Sequence, residues 1–182
     1  MDQLLQEAAD QTRSLQSRIA ARAEGNPFYI EEIIRMLIDQ EGLTRAGEAW
    51  QATPKAEELM RDVPGTLKGL ILTRFDRLPE SLRRTLQKAA VVGRSFPVGL
   101  LQLLDDEQPE ALNAALSELE TRQFLNAEPV GAQAGYAFHH ALVQEAVYGT
   151  LLKRDRQRLH EQIAQAIERS AFSASVRSRV ES

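Results

Sequence analysis

The 182-residue chain has no cysteine. Disulfides and thiolate metal sites are therefore excluded, and the composition suits a reducing compartment. No stretch approaches the ~20 apolar residues needed to cross a bilayer. Met1 to Asp10 carries neither the basic start nor the apolar run of a signal peptide. A soluble, cytoplasmic protein with no membrane partner is the expectation. Positive charge is not in excess either. Lys and Arg number 22 against 26 Asp and Glu, for a net charge of −4. That balance gives no electrostatic reason to expect nucleic acid as the main partner.

The usual catalytic signatures are missing as well. There is no G-x-x-x-x-G-K-[ST] loop to cradle a triphosphate, and no apolar strand ending in paired acids for Mg²⁺. No Ser/His/Asp set with a strained glycine elbow is present. His139 and His140 are adjacent and His160 is remote. Neighbours on a strand point to opposite faces, so no metal site is expected. The chain by itself is expected to have no catalytic residue and to be no enzyme.

What remains is the composition of a globular chain, 43% hydrophobic and 26% charged. Leu4, Leu5, Ala8, Thr12, Leu15 and Ile19 recur at helical spacing and predict one amphipathic helix. Gly25 suits the left-handed turn after a helix end. Asn26 then caps a second helix with Pro27 at its first position. Ile30, Ile33, Ile34, Leu37 and Ile38 predict its buried face, and Glu31 and Glu32 suit its dipole. Gly25-Asn26-Pro27-Phe28 is fully explained as a helix stop and a helix start. The competing reading is that Pro27 offers a flat apolar ring beside a bound base.

Leu43 to Gln51 predicts a short hairpin around Gly47. Pro54 to Val63 reads as irregular or weakly helical. Leu67, Leu70, Ile71, Phe75 and Leu78 mark another helix, closed by Pro79. Beyond Pro79 three helices are expected: one to Gly93, one over Phe96 to Leu104, and one carrying Leu112, Ala115, Leu116 and Leu119. Phe124 to Ala127 and Tyr136 to His139 flank a glycine-containing turn and predict a hairpin. Three helices followed by a hairpin is the layout of a winged helix. A helix over Ala141 to Leu152 follows, then one over Arg156 to Arg169 with Leu159, Ile163 and Ile167 inward. The serine-rich run from Ser170 is expected to be frayed.

The third of those helices would be the recognition helix. Asp105 to Arg122 carries Asp105, Asp106, Glu107, Glu110, Glu118 and Glu120 against Arg122 alone, a net charge of −5. The wing, Gln123 to His139, has Glu128 and no Lys or Arg. Such a surface repels phosphates, so DNA is not an expected partner. Basic residues gather instead at Arg83, Arg84 and Lys88, and at Lys153, Arg154, Arg156 and Arg158. These read as solvated helix faces.

Two stretches resemble a known family. Arg22-Ala23-Glu24-Gly25-Asn26-Pro27-Phe28-Tyr29-Ile30-Glu31-Glu32 is similar to the motif opening the helical lid of bacterial STAND-type, AAA-related signal-transduction ATPases. These occur beside adenylate/guanylate cyclase domains or in LuxR- and MalT-like regulators. Tyr136 through Tyr148 resembles the F-x-H-x-L-x-x-E-x-x-Y pattern ending their winged-helix domain. Val63-Pro64, Arg74 to Pro79 and Ala89 to Gly93 also match, so the resemblance covers about Arg22 to Arg169. It implies that an upstream P-loop domain binds and hydrolyses ATP, while lid and winged helix change orientation between ADP and ATP states. It implies nucleotide contacts for Gly25 and Pro27, whose proline would pack near adenine, and for His140, which would reach the ADP β-phosphate. Ala141 stands where the related immune ATPases carry Asp. The P-loop half is absent here, so the chain would be a fragment or a paralogue without its catalytic core.

The expected fold is mainly α: a helical lid-like domain (1–78), a winged-helix domain with a small hairpin (79–152), and a C-terminal helix and tail (153–182). The expected function is a non-catalytic regulatory module in signal transduction. It would couple the ATP/ADP state of the upstream P-loop domain to a downstream domain of the same polypeptide, with other proteins as further candidate partners. The alternatives are a winged-helix transcription regulator and a protein–protein scaffold. His140 is expected to face inward with Phe138, toward a groove between the two domains, or to cap the helix starting at Ala141.

Overall fold

The computed structural model describes residues 2–47, 49–104 and 108–180, with side chains between 12 and 168. The chain is mainly helical with small antiparallel sheets. It forms two compact units divided between Arg74 and Phe75.

The first unit contains α1 (Asp2–Ala23), α2 (Pro27–Asp39), β1 (Leu43–Ala46), β2 (Ala49–Ala52), α3 (Pro54–Arg61) and most of α4 (Leu67–Asp76). Its core takes Leu15, Ile19 and Ala23 from α1, at i, i+4, i+8. Ile33, Met36 and Leu37 of α2, Ala56 and Met60 of α3, and Leu70 complete it. The side chains of Leu4, Leu5 and Ala8, assigned to the same stripe from the sequence, lie outside those described. β1 and β2 form the expected hairpin, pairing Ala46 with Ala49. Pro54 to Arg61 is a regular helix, not an irregular stretch. Pro54 at its first turn costs no hydrogen bond, and Ala56 and Met60 give it a buried side.

The buried face of α2 differs from the predicted one. Tyr29, Glu32, Ile33, Met36 and Leu37 are buried, whereas Ile34 and Ile38 are 36% and 37% exposed. Those five positions do form one stripe of a 3.6-residue helix, but the face that packs is rotated from it and shares only Ile33 and Leu37 as buried positions. The helix turned toward the core the face carrying Tyr29 and Met36, and with it a glutamate.

The second unit contains α5 (Glu80–Val92), β3 (Ser95–Pro97), α6 (Val98–Gln102), α7 (Pro109–Thr121), β4 (Leu125–Ala127), β5 (Gly135–Phe138), α8 (Ala141–Thr150) and α9 (Lys153–Val180). Its sheet has the order β3-β5-β4, antiparallel throughout. Phe96 was expected in a helix but lies in β3, opposite Tyr136. The helix starts only after Pro97, at Val98. Proline disfavours helical backbone in the residue before it, which leaves Phe96 extended. Phe96 is fully buried, 6.2 Å from the ring of Phe138 in an edge-to-face pair. Gly135 is dictated by space. A Cβ there would come within 2.6 Å of Val130 Cγ2 and 2.7 Å of the Phe96 carbonyl oxygen.

Leu112, Leu116 and Leu119 of α7 pack inward as expected. In α9 the inward residues are Leu159 and Ala166, while Ile167 is 49% exposed. Repeats of four drift from a helical stripe, and a step of three restores it. The helix continues to Val180, where a frayed tail was expected. No Gly or Pro follows Lys153 to stop it, and serine alone is a weak breaker.

Candidate functional site

Gly25 and Pro27 lie at the turn between α1 and α2. Glu24 and Gly25 both take positive φ, 48° and 83°, and reverse the chain after Ala23. Asn26 Oδ1 accepts hydrogen bonds from the backbone N–H groups of Phe28 (3.1 Å) and Tyr29 (3.2 Å). Pro27 occupies the first helical turn with its ring exposed. No atom lies within 4 Å of where a Gly25 Cβ would stand. The glycine is therefore required by its backbone angle and leaves open space beside it.

Two side chains that the sequence did not single out brace this turn. The Arg22 guanidinium donates to the Val63 carbonyl, and the buried Tyr29 hydroxyl donates to the Pro64 carbonyl. The segment between α3 and α4 is thereby held against α1 and α2.

The same unit holds a buried charge network. Arg74 Nη1 donates to Glu32 Oε2 at 2.7 Å, and Arg74 Nε to Asp39 Oδ2 at 3.1 Å. Arg35 Nη1 binds the other Glu32 oxygen at 2.8 Å. The Glu32 and Arg74 side chains are 1% and 3% exposed. Glu32 had been read as a dipole residue only. The missed signal was positional. Glu32 stands three after Tyr29 and four before Met36, and Arg74 stands three after Ile71, so each charge falls inside an apolar stripe.

His140 belongs to the second unit. Its Nδ1 accepts from the Leu142 backbone N–H at 3.1 Å, making it the N-cap of α8. That geometry puts the neutral ring's proton on Nε2. β5 ends at Phe138, so strand alternation does not decide which way the two histidines face. His139 and His140 are both half-buried, and His139 Nδ1 lies 3.0 Å from Asn126 Oδ1. Elsewhere in this unit Tyr148 hydroxyl meets His160 Nε2 at 3.2 Å, with Arg156 stacked 4.6 Å from the tyrosine ring centre. Burial pushes the Tyr136 phenol above its ordinary value of 10.0, and the nearby Glu120 carboxylate adds to this. Among the described residues no group of three or more His, Asp or Glu could hold a metal ion.

A concavity of about 470 Å³ is bounded by the β4–β5 loop, with Glu128 as its only charged lining residue. On α7, Glu110 is exposed, and Glu118 engages Arg122 at 2.6 Å. Asp105, Asp106 and Glu107 lie outside the described residues.

No protein-family model matches the chain. It is similar to an uncharacterized protein of Rhizobium meliloti (strain 1021), with 34% identity over 147 residues. That alignment covers 80% of this chain and 14% of the relative, so the chain spans a small part of the length of the protein it matches.

Proposed function

We propose that the chain is a non-catalytic regulatory module of a larger ATPase. It couples the nucleotide state of an upstream P-loop domain to a downstream domain of the same polypeptide. The first unit acts as the helical lid and the second as a winged helix. The observation that carries this reading is the element order of the second unit. Helix, strand, helix, helix, strand, strand, with the first strand added to the far side of the hairpin, is how a winged helix is threaded. A 14% share of a relative's length fits a segment that works within a longer polypeptide.

The open turn at Gly25 and the exposed Pro27 ring then supply the apolar contact to a base. His140, the N-cap of α8, would supply the polar contact to the phosphate. Such contacts, made in one nucleotide state only, would bias a two-state element. The acidic character of α7 argues against a DNA-reading role for the same unit. The lack of cysteine fits a reducing cytoplasm.

The test is made in the parent polypeptide. Pro27→Gly and His140→Ala are expected to speed release of labelled ADP at least ~10-fold while leaving the fold intact, a change of about 1.4 kcal/mol. A parent without a P-loop domain, or unchanged release in both variants, would sink the reading.

A further inference from the structure

The joint between α8 and α9 is a bend without a helix breaker in it. Leu151 is extended there, at φ −75° and ψ 137°. Neither glycine nor proline follows Gly149 in the sequence, and Leu151, Leu152, Lys153 and Arg154 are all good helix formers. Side chains hold the bend instead. Arg156 Nε donates to the Leu151 carbonyl at 2.9 Å and Nη2 to the Gly149 carbonyl at 3.3 Å, which closes the end of α8. The same guanidinium lies over the Tyr148 ring, and the Tyr148 hydroxyl meets His160. Beyond the bend, Leu159 is buried.

The Arg156 and His160 contacts exist only in the bent form. Tyr148 and His160 are twelve residues apart, about 18 Å along a continuous helix and beyond the reach of the two side chains. In such a helix the Gly149 and Leu151 carbonyls would take backbone N–H groups four residues on, in place of Arg156. Leu159 would be turned by about 120° or more from Val143, Ala146 and Val147, the buried residues of α8, and could not share their core. We propose that the α8–α9 joint is a two-state switch. It is either bent, latched by Arg156, Tyr148 and His160, or straight, as one helix running on from Ala141 with the latch open. Opening takes Leu159 out of its core, which keeps the straight form a minor population in the chain alone. A ligand or domain that binds the straight form better would raise it. The switch goes beyond the nucleotide-coupling role and stands without it.

Because the chain has no cysteine, two spin labels can be attached selectively at the exposed positions of Glu145→Cys and Gln162→Cys. In one continuous helix their Cα atoms stand about 26 Å apart, and the bend brings them closer. Pulsed electron–electron double resonance on the full chain distinguishes the two forms. The labelled chain is expected to show mainly the shorter distance. Arg156→Ala with Tyr148→Phe should raise the population at the longer distance at least ~10-fold from its minor level. Leu152→Pro added to those variants should abolish the longer distance. Proline demands an extended residue before it, which Leu151 already is, and it forbids a helix through the joint. Circular dichroism should show no loss of helix in the opened variant, which separates opening from unfolding. Three results would each overturn the proposal: distances unchanged when the latch is removed, a broad distribution accompanied by loss of helix, or a longer distance that survives Leu152→Pro.

Discussion

At the scale of single residues, the Glu32–Arg74 contact is a buried ion pair in the first unit. Removing one partner of a buried ion pair leaves the other charge uncompensated. Glu32→Ala is accordingly expected to cost about 3–5 kcal/mol. Glu31→Ala, whose carboxylate is 53% exposed and 3.3 Å from Arg35, should have a small effect. Trp50, the single tryptophan, sits on β2 and reports unfolding of this unit in urea. Equal midpoints for the two variants would show that the network is not structural. The same assay separates the two isoleucines. Ile33 is fully buried and Ile34 is not, so Ile33→Asp should be disruptive, by more than about 3 kcal/mol, and Ile34→Asp markedly milder. From periodicity alone Ile34 would have been chosen as the sensitive position. Isoleucine, leucine and methionine score alike, and nothing local distinguishes which side of α2 will be covered.

At the scale of elements, caps and close approaches set the ends. Asn26→Ala removes an acceptor serving two N–H groups at the start of α2 and should cost about 1 kcal/mol, read from the same Trp50 transition. Gly135→Ala should destabilise the three-stranded sheet, because Val130 can yield but the Phe96 carbonyl is backbone. Thermal melting followed by far-ultraviolet circular dichroism checks this; an unchanged melting temperature would mean the β4–β5 loop moves aside freely. β5 also carries the one titration with a clear sign. The Tyr136 phenol is raised above 10.0 in the folded chain, so folding favours its neutral form. Its contribution is intact below about pH 10 and is lost as pH climbs from the unfolded value through the folded one. The stability of wild type should therefore fall more steeply above pH 10 than that of Tyr136→Phe, whose ring cannot ionise. Parallel alkaline profiles would assign that loss to other groups.

At the scale of the whole chain, the expectations concern what it does unaided. Without a phosphate loop or paired Mg²⁺ acids it should release no phosphate from ATP above background. Robust Mg²⁺-dependent turnover by purified protein would contradict this. Duplex DNA should bind weakly at about 150 mM salt, because the exposed side of α7 is acidic. Nanomolar affinity in a mobility-shift assay would point to a basic surface acting in its place.

Much of this molecule is legible in its sequence. The stop at Gly25, the Asn26 cap with Pro27 behind it, the hairpin at Gly47 and the apolar stripe of α7 rest on interactions within a few residues. Backbone angle, capping and periodicity are local physics. The candidate contacts Gly25 and Pro27 were legible for the same reason, and so was the alternative of His140 as a helix cap. Other features depended on residues far apart in sequence. Pro97 keeps Phe96 extended locally, but only pairing with β5 makes that extended segment a strand. Glu32 was buried because Arg74 arrived from 42 residues away to meet it. Arg84, Lys88 and Arg158 share a groove because α5 packs on α9. A sequence records which groups are apolar or charged, but long-range partners are chosen by burial, and burial is fixed only when the elements pack.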